Sequence, residues 1–193
     1  MKKSNFILCL LFLCSSLWTL SAQEVKPNSV KTPGKNKVVL VGRIVLKNPI
    51  DHEARIPADK KNDKAFQKED TFDIRFDDSF YGRTSATYNI GQPFFYTMSV
   101  DSKSKKVSLL GFDAYLFANS LYDFFLPILA TATIPADTKY VYIGTFEYDL
   151  DYALRITSLK IYDEYDDACE WLKTATGNEN AELIRVELEA MKE

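Results

Sequence analysis

The chain has 193 residues, with 24 basic and 27 acidic side chains and a net charge of −3. Without its first 22 residues, which hold two lysines and no acid, it has 171 residues and a net charge of −5. A chain of that length makes one domain with its own core. Its composition, 46% hydrophobic and 26% charged, excludes disordered, collagenous and coiled-coil chains, and its acidity argues against a general nucleic-acid or anionic-membrane binder.

The N-terminus carries an export pattern. Lys2 and Lys3 precede an unbroken apolar run from Phe6 to Cys14, and Ser21-Ala22 supplies small residues before Gln23. That layout predicts a secretory signal peptide over residues 1–22. Ser15 and Ser16 interrupt the run too early for a membrane span. Leu8 and Leu13, directly before Cys9 and Cys14, do not fit a lipidation site. No transmembrane segment is expected after cleavage, and Cys169 would be the sole cysteine, so no internal disulfide can form. Its place on an apolar helix stripe predicts a buried core residue rather than a reactive thiol.

Residues 23–36 are polar, with two prolines and a glycine, and predict a flexible lead-in to a single domain over 37–193. The domain opens with a long strand over residues 37–46, bulged at Gly42. Residues 47–70 form a charged stretch with two prolines and few apolar anchors, the mark of a functional or mobile loop. Residues 23–70 hold 11 basic and 7 acidic groups, whereas residues 71–193 hold 11 and 20. Solvation of a basic face explains this split most simply. A binding role would fall to Arg55, Lys60, Lys61 and Lys64, which can steer an acidic partner.

Strand patterns then recur. Phe72, Ile74 and Phe76 alternate with Asp73, Arg75 and Asp77. Further strands are expected over 94–100, 107–117, 123–129, 139–148 and 153–162, and the chain closes with a strand through Ile184, Val186 and Leu188. Adjacent rings in Phe94-Phe95-Tyr96 and Phe124-Phe125 must lie on opposite strand faces. One of each set therefore faces outward or against a second layer, which makes Phe95 and Phe125 candidate binding residues. A helix is expected over residues 164–175, capped by Asp163 and ended by Gly177, with Tyr165, Ala168, Cys169 and Leu172 in one apolar stripe beside Trp171. The fold expected is an all-β, immunoglobulin-like sandwich of seven to nine strands with one short helix near the C-terminus, a partly closed barrel being the alternative.

Most catalytic chemistries fail on inventory. His52 is the only histidine and lies in the charged loop, and the mature chain has one cysteine, so no zinc set and no convincing Ser/His/Asp triad can be assembled. No phosphate-binding glycine loop and no nucleophile elbow occurs. No cofactor and no metal is expected. The acids at Glu147, Asp149 and Asp151 suit a hairpin tip, and those at Asp163, Glu164, Asp166 and Asp167 suit a helix start, although either set has the oxygens a cation would use.

The segments Leu126-Pro127, Ile134 to Phe146 and Asp163 to Ala168 together resemble uncharacterised exported cell-envelope β-sandwich proteins of diderm bacteria, spirochaetes among them. The resemblance covers about the last 70 residues, and it implies no catalytic residue. The function expected is a non-enzymatic binding or structural module of the bacterial envelope, periplasmic or surface-exposed, with an envelope protein or glycan as partner and no nucleic acid. A secreted carboxylate-based hydrolase such as a glycosidase is the alternative.

Overall fold

The structure is a computed structural model that describes residues 25–48, 70–77, 86–100, 105–116 and 122–191. The expected signal peptide and most of the 47–70 loop lie outside the described residues.

Ten strands and one helix form among the described residues: β1 (Lys37–Leu46), β2 (Thr71–Phe76), β3 (Tyr88–Asn89), β4 (Pro93–Ser99), β5 (Lys105–Leu116), β6 (Tyr122–Ile134), β7 (Tyr140–Leu150), β8 (Ile156–Tyr162), α1 (Tyr165–Thr176), β9 (Ile184–Arg185) and β10 (Leu188–Ala190). They build two five-stranded sheets. Sheet A runs β4-β1-β7-β8, with β9 also on β7, and sheet B runs β10-β6-β5-β2-β3. The barrel alternative does not form, because each sheet keeps its own edges. The count exceeds the expected seven to nine because β3 is added and the closing strand divides, β9 joining sheet A and β10 joining sheet B.

The pairings depart from an all-antiparallel sandwich in sheet A, where β7 lies parallel both to β1 and to the short β9. β1 and β7 lie parallel in the middle of sheet A, with a register shift between Val41 and Gly42. Residue 41 pairs with Tyr142 and residue 42 with Gly144, so Ile143 is the extra residue and the bulge belongs to β7, opposite the expected position. Both strands are apolar at nearly every position because both of their faces are covered. Val38, Leu40, Val141 and Ile143 face sheet B, while Val39, Val41, Tyr140 and Tyr142 face α1. β2 alternates instead, Phe72, Ile74 and Phe76 being buried, because only one of its faces meets the core.

The centre of the sandwich is aromatic. Phe72 lies 5.4 Å from Phe112 and 5.7 Å from Phe94, edge to face in both cases, and Phe112 lies 5.4 Å from Phe146. Phe94 and Phe146 belong to sheet A and Phe72 and Phe112 to sheet B, so the rings join the sheets. The Tyr148 hydroxyl adds a polar tie by donating to the β6 carbonyls of Leu126 (3.3 Å) and Pro127 (3.0 Å).

α1 starts one residue later than expected. Glu164 stands at the N-cap, and the Asp163 carboxylate accepts from the Tyr165 N–H at 3.2 Å. Gly177 ends the helix in the left-handed conformation, φ 62°, as expected. Ala168, Leu172 and Ala175 are the buried residues of the helix. Cys169 is half-buried rather than buried, because it lies on the shoulder of that stripe. Residues 25–36, expected as a flexible lead-in, are pinned at two points: the Asn28 and Val30 N–H groups donate to the Thr174 and Ala175 carbonyls. A helix end leaves such carbonyls without intrahelical partners, which makes them available.

Candidate functional site

The outward face of sheet B carries a three-by-three array. Register aligns Thr71, Tyr115 and Asp123 in one row, Asp73, Asp113 and Phe125 in the next, and Arg75, Gly111 and Pro127 in the third. Strand alternation puts these residues on the side opposite Phe72, Ile74, Phe112 and Ala114, which fill the core.

Two carboxylates directly opposite one another would repel. The array satisfies each separately. Arg75 grips Asp113 with two contacts, Nε to Oδ2 at 3.0 Å and Nη2 to Oδ1 at 2.7 Å. Asp113 is only 2% exposed, and a charge that buried requires such a partner. Asp73 accepts instead from the Thr87 hydroxyl at 2.9 Å and the Tyr115 hydroxyl at 3.1 Å. The Arg75 guanidinium stands 4.9 Å from the centre of the Phe125 ring. That ring lies close against Gly111, its Cζ 2.9 Å from where a β-carbon would stand. The face thus holds a half-buried ring beside fixed acceptors and a fixed guanidinium. Such a surface can stack a ring-shaped ligand and hydrogen-bond its hydroxyls.

Of the residues expected at a site, Phe125 lies on this face. Phe95 lies elsewhere. It pairs with Val41 and packs into the cluster between sheet A and α1, so the two aromatic candidates occupy opposite sides of the molecule. Arg55, Lys60, Lys61 and Lys64, with His52, lie outside the described residues. The acidic sets are absorbed by local structure. Asp149 accepts from Lys47 at 2.9 Å and Asn48 at 2.7 Å. Its hydrogen bond from Lys47 holds its carboxyl below the usual value, and the same bond raises the ammonium of Lys47. Asp151 is held low by backbone N–H groups of the turn, that of Arg155 first. Asp163 meets Arg185 at 2.9 Å. No group of three or more potential metal ligands occurs among the described residues.

A second polar network ties α1 to sheet A. The Thr145 hydroxyl, on a residue 1% exposed, donates to Glu164 Oε2 at 2.7 Å, and the Glu164 N–H donates to the Tyr142 hydroxyl at 2.8 Å. Arg43 reaches the same carboxylate at 3.5 Å and donates through Nε to the Gly91 carbonyl at 3.1 Å. Its guanidinium lies 5.8 Å from the centre of the Trp171 ring. Burial raises the Tyr142 hydroxyl above its ordinary value. These groups bond chiefly to one another, which suits a latch rather than a ligand site. A cleft of about 370 Å3 opens between the 137–139 turn and residues 178–184, lined mostly by exposed polar side chains such as Asp137, Lys139 and Asn180.

The array was only partly legible beforehand. Asp73 and Arg75 show as the polar half of an alternating strand, but Asp113 sits within an otherwise apolar stretch, Gly111-Phe112-Asp113-Ala114-Tyr115-Leu116. An acid in such a stretch signals a buried partner, and only the register shows that the partner is Arg75. No family model matches this chain, and no curated protein and no solved structure matches it.

Proposed function

We propose that the mature chain is a non-enzymatic binding module of a bacterial envelope, exported through its N-terminal signal, and that the outward face of sheet B recognises an envelope glycan. The observation that carries this reading is the Phe125 ring set beside Arg75, Asp73 and Tyr115 on rigid neighbouring strands. Aromatic rings stack on the apolar faces of sugars, while carboxylates and guanidinium groups take their hydroxyls. Strands hold such groups more rigidly than loops do. An immunoglobulin-like architecture and kinship with exported spirochaete-type envelope proteins belong to the same proposal. Two packed sheets support the first, and the segments from Leu126 to Ala168 support the second. A loop contribution from Arg55, Lys60, Lys61 and Lys64 would supply salt-dependent steering.

The glycosidase alternative draws on one feature, Asp73 directly opposite Asp113. Against it, Arg75 engages both Asp113 oxygens, which leaves that carboxylate poorly placed to hold or pass a proton.

The test is co-sedimentation of residues 23–193 with purified cell-wall sacculi, beside Phe125→Leu and Asp73→Asn. Each variant should weaken retention about threefold to tenfold, the worth of one ring contact or one charge-assisted bond. Undiminished retention in both removes this face from the reading. Release of reducing sugar that Asp73→Asn abolishes would favour the hydrolase instead.

A further inference from the structure

Among the described residues, five large hydrophobic side chains are strongly exposed, and three of them lie on one strand: Ile156 (37%), Ile161 (52%) and Tyr162 (42%), all on β8. β8 closes one side of sheet A, and no described strand lies beyond it. Register explains the exposure. Ile161 pairs with Phe146, Leu159 with Tyr148 and Ile156 with Leu150, and those three partners face the sandwich core. β8 therefore turns an apolar face inward, but Ile156 and Ile161 remain exposed where sheet B does not cover them. An edge strand with exposed apolar side chains and open backbone groups is a template for another strand.

The sequence of β8, Ile156-Thr157-Ser158-Leu159-Lys160-Ile161-Tyr162, matches itself in antiparallel pairing about Leu159. Leu159 then opposes Leu159 of a second copy, and Lys160 opposes Ser158, so no lysine meets a lysine. The ends are complementary as well. Arg155 precedes the strand and Asp163 follows it, both exposed though each already in an ion pair of its own chain, with Asp151 and Arg185, and antiparallel pairing brings each near the other at both ends. A two-fold axis through Leu159 would set the two apolar faces side by side on the same surface of one continuous sheet. Two features limit the pairing to a single partner. Thr157 is the extra residue where Ser158 pairs with Asp149 and Ile156 with Leu150, and this bulge keeps the regular two-fold ladder about Leu159 short. Lys160 disfavours in-register stacking of many copies, in which lysine would lie on lysine.

We infer that β8 is a self-association edge, through which two copies of this chain pair antiparallel about Leu159.

The experiment uses residues 23–193. Sedimentation velocity across a concentration series is expected to show a reversible dimer, weakened at least about tenfold by Ile161→Lys, which places a charge in the shared apolar face. Circular dichroism of that variant checks that the fold persists, as it should for a half-exposed position. A second measurement fixes the register: Ser158→Cys and Lys160→Cys are prepared separately, each with Cys169→Ser. Mild oxidation should link the two variants when mixed and link neither with itself. A chain that stays monomeric at the highest soluble concentration overturns the inference. So does a dimer that Ile161→Lys leaves intact, or one whose mixed cysteine variants do not link.

Discussion

Thr145 shows how one hydroxyl can hold an element in place. It is 1% exposed and donates to Glu164 Oε2 at 2.7 Å, at the junction of α1 and sheet A. Thr145→Val keeps the shape and leaves a carboxylate oxygen short of a donor, so a loss of about 1–3 kcal/mol is expected in chemical denaturation. A cost under a few tenths would mean that Arg43 alone satisfies Glu164. Tyr140 presents the opposite case. Its hydroxyl is the one buried side-chain polar atom without a partner among the described residues. Tyr140→Phe removes that orphan and should be neutral or stabilising by up to about 1 kcal/mol. A clear loss would reveal a partner for the hydroxyl in solution. Gly111 is fixed by space: at φ 154° an added methyl would meet the Leu126 carbonyl and the Phe125 ring. Gly111→Ala should therefore both destabilise the domain and displace Phe125 from the candidate face.

At the scale of elements, α1 converts one face of sheet A from surface into interior. Leu172 is fully buried between the helix and Val39, Val41, Tyr140 and Tyr142. Leu172→Ala should cost about 2–5 kcal/mol, the range for truncating a core leucine, read from the unfolding midpoint by circular dichroism. A smaller loss would show that the helix layer contributes little to global stability. Periodicity located this helix to within a residue and named the stripe that packs. It could not say which sheet the stripe covers. The Val38 to Val41 run carries that information only when read as a strand buried on both faces, and an apolar run alone does not distinguish a second sheet from a helix as the cover.

For the molecule as a whole, pH acts from both sides. Burial pushes the Tyr88 and Tyr148 hydroxyls far above their ordinary 10.0. A raised folded value means that the stability they confer is complete below about pH 10 and is lost as pH rises through the folded value, because the unfolded chain ionises first. Asp149 and Asp151 are held below their ordinary 3.8, so their contribution is present above that value and lost as pH falls through the lower folded ones. The melting temperature should therefore stay level from about pH 5 to 9 and drop on both sides, more steeply on the alkaline side, where the buried groups titrate. Tyr148→Phe should flatten the alkaline limb. An alkaline limb unchanged by that variant would show that Tyr148 does not govern it.

The sequence by itself determined that the chain is mostly strand with one helix near its C-terminus. Alternation marks β2, aromatic and β-branched runs mark β4 to β7, and the Tyr165 to Leu172 stripe with Gly177 marks α1, because these signals come from neighbours along the chain. It also determined that Phe94 and Phe95, like Phe124 and Phe125, lie on opposite faces of their strands, since successive side chains in a strand point to opposite faces. Only the tertiary structure decided that β1 lies parallel to β7, that the closing strand splits between two sheets, and that Phe95 is covered by the helix side while Phe125 lies beside Arg75 and Asp113. Those facts depend on which distant strands pair and in what register. Residues 75 and 113 meet because β2 and β5 align, and pairing energies between remote segments leave no mark in either segment alone.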